Sequence, residues 1–180
     1  MLEQIYMWAD VKEIGDYAFQ GCSGLKGIDI PNDTTKIGEH AFDGCAQMET
    51  LYIWGNPDIG EYAFANCASL TEINIGSDTK NVGAHAFEGC KKATALYIWG
   101  AEIIGDYAFA GCSGIEDVSI PSDTRSVGNH AFDSCTALTS VYVWGDDTAI
   151  GEDAFANCPN LSDVPAARGT VLECTSGVLN

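Results

Sequence analysis

The sequence predicts a solenoid of α/β class, in which short, mostly parallel strands are stacked coil on coil and joined by short helical or 3-10 turns. Two observations carry this expectation. The pattern of "IGDYAFQGC" (14–22) recurs without gaps at 37–45, 59–67, 82–90, 104–112, 127–135 and 150–158, in steps of 22 or 23 residues. The four tryptophans, Trp8, Trp54, Trp99 and Trp144, lie 46, 45 and 45 residues apart. Recurrence at a fixed period of this length marks a repeat architecture, and no single unit of it can bury its own apolar face. The 180 residues hold about seven to eight such coils, alternating in two kinds.

Each coil opens with Ile or Val followed by Gly. That Gly is expected to serve a tight turn or a close backbone approach. Asp or Glu follows it in five of the seven units, as suits the first turn of a short helix. The next slot holds Tyr17, Tyr62 and Tyr107 or, in alternate coils, His40, His85 and His130. These side chains are expected to form a half-buried polar cap on the helix, where substitution costs little. The histidines are two coils apart, too far to share a metal ion. Ala-Phe comes next. All seven phenylalanines (Phe19, Phe42, Phe64, Phe87, Phe109, Phe132 and Phe155) occupy this one slot and predict a stacked core spine. Seven of the eight cysteines close the pattern, with no Cys-x-x-Cys pair. They are expected to be buried, reduced thiols acting as small apolar groups. Cys174 lies outside the ladder.

After each Cys, apolar residues fall as Leu25, Ile28 and Ile30 do in "SGLKGIDI" (23–30). The run I-G-x-x-A-F-x-x-C followed by L-x-x-I-x-I-P, as in 14–31 and 104–121, resembles the BspA-like leucine-rich repeats over about residues 2–165. The resemblance implies a right-handed leucine-rich-repeat solenoid with a parallel sheet on one face. It also implies a surface-exposed or extracellular protein that binds host or neighbouring-cell components. It brings no catalytic residues. Alternate strands depart from the pattern by ending in Trp-Gly or Trp-Ala where the others end in Pro or Gly.

The strands are therefore of two types. Type A comprises 5–8, 51–54, 96–99 and 141–144. Type B comprises 28–31, 73–76, 118–121 and, less clearly, 164–167. Side chains alternate across a strand. With Leu51 and Ile53 inward, Tyr52 and Trp54 point out, and so do Tyr6, Trp8, Tyr97, Trp99, Tyr142 and Trp144. Like rings would recur at roughly 10 Å along the solenoid. Two readings stay open. Each Trp covers the Pro or Gly of the neighbouring strand, or the rings form a binding stripe for a protein, a glycan or another copy of the chain.

Net charge is −18 with only eight Lys or Arg, which argues against nucleic acid and anionic membrane surfaces as partners. No apolar run is long enough for membrane insertion, and no signal peptide or anchor is visible. No nucleophile elbow, HExxH or phosphate loop occurs. Nearly every His, Cys, Trp and Phe is repeated, so no unique constellation stands out. A non-enzymatic scaffold without cofactor or metal is expected. Residues 1–165 are assigned to the solenoid and 166–180 to an irregular tail or partial cap. The alternative is a subunit that stacks head-to-tail into a filament. Leu2, Ile5 and Met7 would form one end of that contact, and Val171, Leu172, Val178 and Leu179 the other.

Overall fold

A computed structural model of the chain describes residues 3–8, 10–162, 174, 175, 178 and 179, the last four as backbone only. Longer strands alternate with two-residue strands. In chain order they are β1 (Gln4–Tyr6), β2 (Glu13–Ile14), β3 (Gly27–Ile30), β4 (Lys36–Ile37), β5 (Thr50–Ile53), β6 (Asp58–Ile59), β7 (Glu72–Ile75) and β8 (Asn81–Val82). They continue as β9 (Ala95–Ile98), β10 (Ile103–Ile104), β11 (Asp117–Ile120), β12 (Ser126–Val127), β13 (Ser140–Val143) and β14 (Ala149–Ile150). A separate antiparallel pair, β15 (Cys174–Thr175) and β16 (Val178–Leu179), comes last. Seven repeats of the Ile-Gly slot, from Ile14 to Ile150, enclose six full turns. The further coil expected at 164–171 lies outside the described residues.

Two stacks of strands run the length of the solenoid. The long strands stack in parallel, with Ile28 opposite Leu51, Ile73 opposite Leu96 and Val118 opposite Val141. Every 23-residue step makes a hydrogen-bonded ladder: Gln4 to Gly27, Gly27 to Thr50, Glu72 to Ala95 and Asp117 to Ser140. At both 22-residue steps, from β5 to β7 and from β9 to β11, the ladder is interrupted although the strands stay side by side. The missing residue falls between Trp and the next Ile. Five residues fill that connection at 54–58 and 99–103, and six at 144–149. The short strands absorb the difference. They form one continuous seven-stranded parallel sheet from β2 to β14. The resemblance implies a parallel sheet on one face; the Ile-Gly side carries a second.

The expected short helix does not form: among the described residues there is no helix. Alternate N–H groups take different partners. Those of Ala18, Gln20 and Cys22 donate three residues back within their own coil. Those of Tyr17, Phe19 and Gly21 donate to the next coil, at the carbonyls of Glu39, Ala41 and Asp43, over 2.7–2.8 Å. The same alternation recurs in later coils, for instance from His85 to Asp106, Phe87 to Ala108 and Gly89 to Ala110. A helix bonds every successive N–H along its own axis; here half of them are committed between coils. The backbone shows the same thing. Tyr17, His40, Tyr62, His85, Tyr107, His130 and Asp153 all sit at φ of 51–58°, a left-handed conformation that breaks any right-handed helix.

The core follows the sequence pattern. Phe42, Phe64, Phe87, Phe109 and Phe132 are fully buried and stack in one column with centroids 5.1–5.5 Å apart. The thiols have a specific task. Cys45 Sγ donates to the Phe19 carbonyl at 3.3 Å, and Cys67, Cys90, Cys112, Cys135 and Cys158 repeat the bond to the Phe of the coil before. Burial pushes the Cys45 thiol up to about 12 and also raises Cys67 and Cys135. Cys90 is raised by its hydrogen bond with Cys112 and by burial. The thiolate is the reactive form, so Cys67 and Cys90 are expected to alkylate slowly in the folded protein. Cys22, half-buried in the first coil, should react faster than either. Mass spectrometry after a brief pulse measures the order, and faster labelling of Cys67 or Cys90 contradicts the buried ladder.

Candidate interaction surface

The outward positions of the long strands build one face. Tyr and Trp alternate with the buried residues of type A strands, since a strand that sends Leu51 inward must send Tyr52 outward. Tyr6, Trp8, Tyr52, Trp54, Tyr97, Trp99, Tyr142 and Trp144 are all 47–81% exposed, whereas Phe64, Phe109 and Phe155 of the same coils are buried and Phe19 is half-buried. Within a strand the two rings lean together: Tyr52 and Trp54 have centroids 6.2 Å apart, as do Tyr97 and Trp99. The indole N–H of Trp99 donates to Asn74 Oδ1 at 2.9 Å, and that of Trp144 to Ser119 Oγ at 3.4 Å. Each of these tryptophans is thus anchored on the preceding type B strand with most of its ring in solvent.

The type B strands between them add charge of one sign. Asp29 on β3, Glu72 on β7 and Asp117 on β11 are all exposed. No Lys or Arg occurs in 4–8, 27–31, 50–54, 72–76, 95–99, 117–121 or 140–144. Lys26 borders the face and is paired with Glu3 at 3.3 Å. A shallow depression of about 280 Å³ opens over Gly27, between Gln4, Tyr6, Asp29 and Thr50.

A second aromatic column lies on the turn side, and the sequence reading missed it. Tyr17, His40, Tyr62, His85, Tyr107 and His130 stack in unbroken order, with centroids 4.4–5.1 Å apart and planes within 11°. The signal was present: one slot admitted only Tyr or His in six successive coils. Histidines two coils apart are too distant to touch, but the tyrosine of the intervening coil bridges them. The three histidines are half-buried as expected, but they belong to this stack and not to a helix. Each faces a carboxylate, His40 with Asp43 at 3.0 Å, His85 with Glu88 at 2.7 Å and His130 with Asp133 at 3.4 Å.

Asp43 ties three coils together. Its carboxylate accepts from Gln20 Nε2 at 3.3 Å and Asn66 Nδ2 at 3.1 Å, besides its contact with His40. Burial works to raise its pKa, but the hydrogen bonds from His40, Asn66 and Gln20 outweigh it and hold the carboxyl below its ordinary value. A carboxyl lowered on folding stabilises the protein above its unfolded pKa and loses that contribution as pH falls through the folded one. Asp43→Asn is therefore expected to cost stability near neutrality and progressively less in strong acid. Denaturant melting of both proteins across the acid range reads the gap; a gap that widens on acidification contradicts the assignment.

Of the proposed end-contact residues, Ile5 and Met7 are half-buried and pack against the core of the first coils. Leu2, Val171 and Leu172 lie outside the described residues, and Val178 and Leu179 are described only as backbone in β16.

The BspA type leucine rich repeat region matches the chain in six copies, over residues 1–91 and 55–162. The chain belongs to this family. A T. pallidum leucine-rich repeat protein of known crystal structure is 25% identical, with 84% of this chain and 72% of that one covered and a TM-score of 0.54. A leucine rich cell surface protein from Faecalibacterium prausnitzii is 21% identical, over 86% of this chain and 58% of that one, with a TM-score of 0.49. A leucine-rich repeat protein from Bacteroides ovatus is 24% identical, over 88% and 61%, with a TM-score of 0.39. The chain spans about three fifths of the length of these last two. No curated protein matches it. In this BspA-type solenoid, the slot that holds Pro31, Gly76 and Pro121 on type B strands holds Trp on every type A strand.

Proposed function

We propose that this leucine-rich-repeat protein is a non-catalytic adhesion or binding module at a cell surface, and that its site is the Tyr/Trp stripe on the long-strand face. One observation carries the reading: eight large aromatic side chains stand exposed in two rows on the long-strand face. A contiguous exposed aromatic surface is typical of interaction sites. The anchoring of Trp99 and Trp144 to type B side chains supports it, because rings held in place lose less freedom on binding. The surface location rests on the family resemblance.

The test pairs adhesion with stability. Beads coated with the parent protein should adhere to cells or extracellular matrix, and beads coated with Trp54→Ser/Trp99→Ser should not. The variant should melt within about 0.5 kcal/mol of the parent for each exposed ring removed. Adhesion that survives the double change but is lost on Ile5→Asp would move the site to the end of the solenoid.

A further inference from the structure

The periodicity of the stripe limits what fits along it, which identifies the kind of ligand the proposed site would take. Aromatic pairs stand on every second rung. With strands 4.7–4.9 Å apart, the pairs recur at about 9.6 Å. Each intervening type B strand also carries one exposed acidic group: Asp29 stands level with the tyrosines, and Glu72 and Asp117 stand two residues earlier, in the slot that Gly27 fills on β3. A peptide lying along the solenoid axis must present matching groups at that interval.

The regular backbone conformations differ sharply on this point. An extended strand repeats its side-chain direction every two residues, about 6.7 Å, and falls out of phase at once. Two turns of an α-helix give about 10.8 Å, so over the three intervals from β1 to β13 the mismatch grows to about 4 Å. A polyproline II helix repeats every three residues, about 9.3 Å. Over the same three intervals it drifts by only about 1 Å. Its pyrrolidine rings suit aromatic surfaces, and the helix is largely preformed, so docking orders little chain.

Charge adds a second, independent constraint. The face carries carboxylates and no cation on its strands, and exposed Trp and Tyr rings attract guanidinium groups. We infer that the stripe takes a basic, proline-rich peptide in the polyproline II conformation, running along the solenoid axis with one cation per three residues. This rests on the binding role proposed for the stripe. Arginine is the fitting cation, since it pairs with carboxylates bidentately and also stacks on aromatic faces.

The peptide (Pro-Pro-Arg)4 spans about 37 Å and covers the whole stripe. Titration calorimetry of the intact protein should show it binding. An isomer of the same composition with the arginines moved out of the three-residue period should bind at least roughly tenfold more weakly. So should (Pro-Pro-Glu)4 and a helical peptide of equal charge. Trp54→Ser/Trp99→Ser and, separately, Tyr52→Ser/Tyr97→Ser should each weaken (Pro-Pro-Arg)4 at least roughly tenfold, with circular dichroism unchanged. Equal binding of the shuffled, acidic or helical peptide overturns the inference. A β-1,4-linked glucose oligosaccharide that binds in a Trp-dependent way, where (Pro-Pro-Arg)4 does not, overturns the peptide ligand and leaves the stripe as the site. Binding of (Pro-Pro-Arg)4 that ignores both double variants removes the inference and the site together.

Discussion

Phe87→Ala is expected to lower stability by about 3–5 kcal/mol, the cost of deleting a fully buried aromatic side chain. The ring is fully buried and lies between Phe64 at 5.1 Å and Phe109 at 5.5 Å. Its neighbours cannot collapse into the space, because the backbone is pinned across the gap. The Phe64 N–H donates to Ala86 and the Phe87 N–H to Ala108, both at 2.7 Å. The change weakens two coil interfaces at once, and in a solenoid such nearest-neighbour terms carry the stability. His85→Ala, two residues earlier, is the control. From the sequence this position looked like a cap of little consequence. In the structure it loses stacking on Tyr62 and Tyr107, and each such stack contributes about 0.5–1.5 kcal/mol. A cost of about 1–3 kcal/mol is expected, below that of Phe87→Ala. Denaturant melting separates the two; equal losses mean that the phenylalanine column is not the principal spine.

Gly83→Ala is the second large effect. A Cβ on Gly83 would lie 2.6 Å from the Gly60 carbonyl carbon and 2.7 Å from the Glu61 nitrogen, all backbone. Neither atom can yield. The Gly83 N–H is bonded to Ile59, and the Tyr62 N–H beside it to Ala84. The coils must part, at a cost of about 3 kcal/mol or more, the upper range for overpacking. Gly15→Ala tests the cause. It occupies the same slot of the repeat, but a Cβ there meets nothing within 4 Å. Alanine at that position restricts the unfolded chain and should be neutral or stabilising by up to about 1 kcal/mol. Opposite signs at two copies of one motif are expected in thermal melts, and losses at both would assign the glycine to turn conformation instead of contact.

Those glycines show what the sequence disclosed and what it withheld. Their recurrence signalled a constraint, and the structure makes it the close approach of stacked backbones. The inward residues Ile28, Leu51, Ile73, Leu96, Val118 and Val141 were legible because strand alternation and the repeat agree, and the exposure of all eight stripe aromatics followed from the same alternation. The turn was not legible. Acidic residues after Gly suggest a helix start, yet Tyr17, Tyr62 and Tyr107 take positive φ without being Gly, Asn, Asp or His, the types that usually announce it. Their conformation is set by hydrogen bonds to a coil 22 or 23 residues away, which no local propensity records. The same holds for the Ile-Gly sheet, whose strands are two residues long and exist only through their partners.

The hydrogen bonds of the turn arm have an electrical consequence. In parallel sheets the peptide dipoles alternate and largely cancel. Along the turn arm they do not. In each column the earlier coil donates and the later coil accepts, from Tyr17 to Glu39 through to His130 to Glu152, from Phe19 to Ala41 through to Phe132 to Ala154, and from Gly21 to Asp43 through to Ser134 to Ala156. Three aligned rows of peptides sum as they do in an α-helix, but with the opposite sense relative to the chain. The positive pole lies at the coil of Asp153, Phe155 and Asn157, and the negative pole at the first coil. A protein without a single described helix thus carries a macrodipole along its length, and two copies placed with like ends together would set like poles against each other.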